Sequence, residues 1–112
     1  MDQERRGQWL RGVLDLCVLA ALVRRESYGY ELAQSLDAAG LGPIRGGTLY
    51  PVLLRLQRTG MVTAQWREGE AGPARKYYRI TESGGEVLRR TAADWESFAG
   101  GVSAILREVA AR

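Results

Sequence analysis

The chain has 112 residues, with 16 Lys/Arg against 13 Asp/Glu, one cysteine and no histidine. Its length suits one compact domain plus an appended element, and so small a domain often leans on oligomerisation. Without histidine or paired cysteines, the usual zinc sites and the Ser-His and Cys-His nucleophile pairs are excluded, and no acid–base carboxylate pattern stands out. An enzyme is not expected, nor any metal or other cofactor.

An apolar share of 46% argues against disorder, while the longest apolar run, Leu16 to Val23, is far too short to cross a bilayer. With no signal-peptide cleavage pattern after the first apolar run, the chain reads as a cytoplasmic protein with no membrane partner. Charge is unevenly spread. Residues 1 to 40 carry five Arg against six acids, residues 81 to 112 carry four against five, and residues 41 to 80 carry six Arg and Lys76 against only Glu68 and Glu70. The whole positive excess lies in the middle third, where a phosphate-facing surface is expected.

From Trp9 to Arg24 the sequence predicts a helix that is apolar nearly all round, through Trp9, Leu10, Val13, Leu14, Leu16, Cys17, Val18, Leu19 and Leu22. Such a helix needs cover on several sides, and Cys17 among these neighbours reads as a structural thiol. Ser27 is the expected N-cap of a second helix that carries Leu32, Ala33 and Leu36 inward and stops at Gly40. The Gly40–Gly47 stretch has the glycines of a phosphate loop but lacks the strand and lysine of one, so it reads as a turn.

A third helix is predicted from about Arg45 to Thr59, with Leu49, Val52, Leu53 and Leu56 buried and Pro51, Leu54, Arg55 and Arg58 opposite, Thr48 at the flank. Pro51 predicts a late start, near Thr48 to Tyr50. Met61 to Glu68 and Ala74 to Ile80 then alternate as a hairpin with a five-residue tip at Gly69–Pro73, placing Val62, Ala64, Trp66, Tyr78 and Ile80 inward. Thr81 caps a last helix. On it Leu88, Trp95, Val102 and Val109 recur every seven residues with Ala92, Ala99 and Leu106 beside them, interrupted by Gly100-Gly101. The stripe is longer than so small a domain covers.

These parts compose a mainly α fold with a small β-hairpin, an α+β winged helix-turn-helix over residues 1–80 followed by a dimerisation helix over residues 81–112. The expected partners are double-stranded DNA and a second copy of the chain. In this reading Arg55, sharing a face with Thr48 and Pro51, reaches base edges, where a bidentate guanidinium on guanine discriminates by roughly 1–3 kcal/mol. Arg58 is a further candidate, and Arg45, Arg75, Lys76 and Arg79 are assigned to phosphates. Tyr50 and Tyr30 either donate to phosphates or pack between helices. Trp66 is expected in the core, and Trp9, Val13, Leu88, Trp95, Val102 and Leu106 in a dimer interface.

Tyr28-Gly-Tyr-Glu-Leu32, Gly47-Thr-Leu-Tyr-Pro51, Arg55-Leu56, Gly60, Trp66 and Gly72-Pro-Ala-Arg-Lys-Tyr-Tyr-Arg-Ile-Thr81, with Gly84 after them, resemble the PadR family of transcriptional regulators in its short form. The resemblance implies a dimeric winged-helix repressor, often of a neighbouring transporter or detoxification operon, whose C-terminal helix packs on the first helix of the other subunit. It also implies that Trp95 stacks against flat aromatic ligands in a pore bordered by Leu16, Ala20, Leu88, Ala92 and Ala99, several of them smaller than in other members. Glu68 and Glu70 depart from a basic wing tip. Two other readings remain at this point: a winged-helix protein-interaction module, and an RNA-binding winged helix, against which the lack of an aromatic-rich sheet face counts.

Overall fold

The computed structural model of the protein describes residues 1–69 and 71–111; the expectation for Glu70 lies outside them. Helix α1 (Gln3–Leu10) leads into α2 (Leu14–Arg24), a short strand β1 (Ser27–Tyr28), α3 (Gly29–Leu36), α4 (Gly46–Arg58), the hairpin β2 (Val62–Gly69) and β3 (Gly72–Ile80), and the long helix α5 (Glu82–Ala110). The antiparallel sheet has strand order β1-β3-β2. Helices with a small sheet are the α+β arrangement expected.

The predicted first helix is in fact two. Leu10 is buried, and the chain turns over Arg11–Val13, with the Val13 amide bonded to the Leu10 carbonyl and Val13 outside helical geometry. Gly12 in this turn has little helix propensity to resist the break.

Ser27 does not cap α3. It is buried and paired with Tyr78 in the sheet, so its backbone serves the ladder, and extended Tyr28 takes the cap position without a side-chain bond. Gly29 follows because a Cβ there would collide with the Tyr50 hydroxyl and ring; its absence seats Tyr50 against the start of α3. After α3 the chain stays helical for a few residues and breaks at Gly40, whose φ of 106° is the left-handed conformation a C-terminal glycine supplies.

Helix α4 begins earlier than Pro51 predicts and keeps the proline inside it. Proline in a helix costs about 3 kcal/mol, whereas fully burying one large aliphatic side chain contributes about 1.5–3 kcal/mol. Leu49, Val52, Leu53 and Leu56 are all buried, which outweighs the proline. They close one core with Leu14, Val18 and Leu22 of α2, Leu32 and Leu36 of α3, and Val62 and Tyr78 of the sheet.

The hairpin is longer than expected. Pairing continues to Gly69 opposite Gly72 through an irregularity after Arg67, so the five-residue tip shrinks as Gly72 and Pro73 join the strand. The alternation assigns Trp66 to the core face, yet the indole is 67% exposed. Its register partner is Lys76, beyond the level of Val62 and Tyr78 where the helical core ends.

The Thr81 side chain caps α5 by accepting from the Gly84 amide at 3.0 Å, and its hydroxyl donates to the Gly60 carbonyl at 2.7 Å. The helix runs unbroken through Gly100-Gly101 for 29 residues, roughly 43 Å at 1.5 Å per residue. It gives the molecule its extents of 58 × 30 × 20 Å.

Gly84 is the tightest point of α5, because a Cβ there would meet the Met61 carbonyl and Ile80 Cγ1. Gly84→Ala is expected to lower stability in urea denaturation by about 1–3 kcal/mol. Gly85→Ala, with only the end of the Arg89 side chain near its Cβ position, should instead gain up to about 1 kcal/mol.

Candidate nucleic-acid interface

Burial of one side of α4 sets the other. With Leu49, Val52, Leu53 and Leu56 inside, Thr48, Tyr50, Pro51, Leu54, Arg55 and Arg58 stand at the surface. The first turn of α4 carries no acid, and its N-cap residue, Arg45, is exposed. Arg45, Thr48, Pro51 and Arg55 open onto one groove of about 450 Å³.

Arg55 stands on the face expected, but its guanidinium already has a partner within the chain. Its Nη2 lies 2.6 Å and 2.7 Å from the two Asp15 oxygens, and its Nε 3.2 Å from one of them, tying α4 to α2. The carboxylate raises the Arg55 pKa further. A bidentate but solvent-exposed pair of this kind is worth at most about 1 kcal/mol, so its main consequence is orientation. Nη1 is the guanidinium nitrogen left out of the pair.

Tyr50 is half in contact with α3 through Gly29, and Tyr30 accepts a hydrogen bond from Gln34 Nε2 at 3.1 Å, so both rings are exposed yet held. The outer face of the sheet is more organised than alternation predicts. Arg67 and Arg75 face each other across the strands, an arrangement that like charges make unfavourable on its own. Each is drawn aside: Arg67 bonds Glu26 at 2.6 Å and lies 4.6 Å over the Tyr77 ring, while Arg75 lies 4.5 Å over Tyr28. Arg79 also reaches Glu26, at 3.3 Å. Lys76 sits 5.5 Å over the Tyr78 ring on the other face.

Glu26 and Arg67 are absent from the residues singled out in the sequence, and Tyr28 entered there only through the motif that carries the resemblance, with no place on the sheet. Arg67 was available from the outward phase of β2; Glu26 was not, since it lies 53 positions from Arg79. The sheet face also carries two aromatic rings where few were expected, Tyr28 and Tyr77 packed edge to face at 5.4 Å, each with a guanidinium over it.

A second, apolar groove of about 400 Å³ lies between α1, α2 and α5. Trp95, Leu16, Ala20, Leu88 and Ala92, which the family resemblance implies for a pore, all lie along it, together with Trp9 and Val13. Ala99 does not, because it lies one turn beyond Trp95, past the end of the groove. Cys17 borders it half-buried, and desolvation pushes its thiol pKa up, away from reactivity.

An arginine-bearing helix beside a basic antiparallel hairpin is the surface a winged helix presents to DNA. The sequence profile of the transcriptional regulator PadR-like family matches residues 18–90. The chain belongs to that family. A transcriptional regulator of Mycobacterium tuberculosis is 33% identical over 81 residues, 72% of this chain and 74% of that one. Two crystal structures are similar in fold and sequence: a PadR-like transcriptional regulator from Bacillus cereus (TM-score 0.78, 36% identity, covering 88% of this chain and 96% of that one) and a PadR family transcriptional regulator from Eggerthella lenta (TM-score 0.78, 40% identity, 88% and 86%). The protein is thus a DNA-binding PadR-like regulator and not an enzyme. Among its described residues no helix is long and apolar enough to cross a membrane.

In this PadR-like regulator the Arg67 guanidinium, with Arg79 beside it, holds the Glu26 carboxyl below its ordinary value of 4.5. A depressed folded value means that the brace is complete above the unfolded pKa and is lost as pH falls through the lowered folded one. Amide exchange in β2 and β3, corrected for its intrinsic pH dependence, should therefore accelerate as pH falls below about 4.5, and Glu26→Gln should remove that acid-dependent step.

Proposed function

We propose that this regulator acts as a homodimer on an inverted-repeat operator, as a repressor that a planar aromatic effector releases. The observation that carries the reading is the exposed apolar stripe of α5: Trp95, Phe98, Val102, Ile105, Leu106 and Val109 all face outward, Phe98 at 72%. Helical stripes of this length are covered by a second copy, and Trp9 and Val13 on the adjacent N-terminal segment extend the apolar surface. On this reading residues 1–80 form the DNA-binding unit and residues 81–112 the dimerisation helix.

A two-fold dimer presents two α4 helices to successive major grooves, about 34 Å apart or a multiple of it. Thr48, Pro51 and Arg55 through Nη1 face base edges, with Arg58 at the end of the same face; Arg45, Arg75, Lys76, Arg79, Tyr30 and Tyr50 take phosphates. Base contacts specify and phosphate contacts position. Selection of bound duplexes from a random pool tests this: the wild type should yield an inverted repeat, Arg55→Ala a relaxed preference in each half-site, and Arg75→Ala the same consensus at lower affinity. An unchanged consensus with Arg55→Ala and an altered one with Arg75→Ala would reverse the assignment. Sedimentation should give a dimer at micromolar concentration, and Val102→Asp with Leu106→Asp a monomer or an insoluble chain.

Trp95 is 41% exposed at the wall of the apolar groove, with small Ala92 beside it. A flat aromatic guest stacks there, stacking being worth about 0.5–1.5 kcal/mol beyond area burial, and cation–π attraction adds to it for a cationic guest. The guest releases DNA only if it favours a dimer whose α4 helices are wrongly spaced. Titration of planar aromatic dyes against tryptophan emission should show binding to the wild type and to Trp95→Phe, and weaker binding to Trp95→Ala. Equal affinity for the wild type and Trp95→Ala would return Trp95 to interface packing.

A further inference from the structure

Helix α1 forms one wall of the groove onto which the reading face of α4 opens. Gln3, Arg6 and Arg11 stand on that wall, opposite Arg45, Thr48, Pro51 and Arg55. Asp15 is the one acid lining it, and Arg55 takes both of its oxygens. Arg6, Arg11 and Arg45 are therefore left with no counter-charge around one concave surface, and none of them forms an ion pair among the described residues.

Solvated arginines on a helix are ordinary, but these are not evenly spread. Arg5, on the same helix, lies outside the groove. The end of the Arg6 side chain lies against Gly42, whose φ of 80° calls for glycine by itself, and its Nη2 donates to the Met1 carbonyl at 3.4 Å. The helix itself is secured by its Asp2 cap and by Leu10, its one buried residue. Three cations around the one groove that Thr48 and Pro51 also line form an anion-accepting extension of the proposed recognition surface.

We propose that α1 is a second DNA-binding element, with Arg6 and Arg11 taking phosphates of the strand that borders the major groove entered by α4. The proposal rests on the assignment of α4 as the recognition helix and adds two residues and one helix to it. Phosphate contacts carry no base information, so these arginines strengthen binding to every duplex alike and raise its salt dependence.

The test is fluorescence anisotropy of a selected duplex and of a scrambled duplex of equal length, across salt concentration, with the full chain. Arg11→Gln and Arg6→Gln are each expected to weaken both duplexes by the same factor, roughly 10-fold per lost contact at 0.1 M salt, and to lower the salt slope by about 1 per half-site. Arg11→Lys should keep the slope, because a point charge suffices for a phosphate, and Arg5→Gln should match the wild type. Thermal melts identify any variant that has lost its fold, and Arg11, exposed at the end of α1, is the safer of the two positions. If the wild type binds and Arg75→Ala lowers the slope while Arg11→Gln and Arg6→Gln do not, the inference is overturned and the α4 assignment stands. The same holds if Arg5→Gln costs as much as Arg11→Gln. If the wild type binds no duplex even at low salt, the α4 assignment itself falls, and this inference with it.

Discussion

Everything on the proposed DNA-facing side of this protein depends on the packing of Leu49 and Leu53 of α4 against Leu32 of α3 and Val18 of α2. All four are essentially inaccessible to solvent. Fixing one side of a helix fixes the other, because side chains three and four positions apart share a face and cannot rotate independently. The same burial that holds Pro51 inside the helix thus aims Thr48, Pro51 and Arg55 outward. Removing one of these leucines would cost about 2–5 kcal/mol in stability and would also loosen the angle at which the reading face is offered.

Around that packed centre the protein uses long-range ion pairs to orient groups more than to stabilise them. Asp15 holds Arg55 from α2, and Glu26 holds Arg67 and Arg79 from the segment before β1. Each pair is partly solvated, so each contributes little to folding energy. Their effect is to reduce the number of conformations available to arginines on α4 and the hairpin, which on the proposed reading lowers the ordering cost when a phosphate or base arrives. The cation–π contacts of Arg67 and Arg75 act in the same direction and relieve the repulsion between them.

The two grooves meet at α1. Arg6 and Leu10 belong to the lining of both, while Trp9 and Val13 border only the apolar one and Arg11 only the basic one. A helix secured by a single buried leucine, and joined to α2 through a turn that contains Gly12, is a weakly anchored wall between a candidate effector site and a candidate DNA surface. The geometry by which effector binding would reach DNA therefore need not pass through the core, whose close packing resists small displacements.

Local pattern determined much of this by itself. The four inward leucine and valine positions of α4, the alternation of the hairpin and the stripe of α5 follow from helical, strand and heptad periods; the Thr81 cap follows from residue type, and the family resemblance rests on the particular residues of Gly47–Pro51 and Gly72–Thr81. Tertiary structure decided what depends on partners far away in the chain. Ser27 became strand and not cap because β3 was there to pair with it, and Trp66 became exposed because the core ends below its register with Lys76. Arg55 became oriented because Asp15, forty positions earlier, turned toward it, just as Glu26 found two arginines of the wing. A period states which face a residue occupies; only the folded chain brings up the neighbour that meets it, since such contacts join residues whose separation in sequence leaves no local trace.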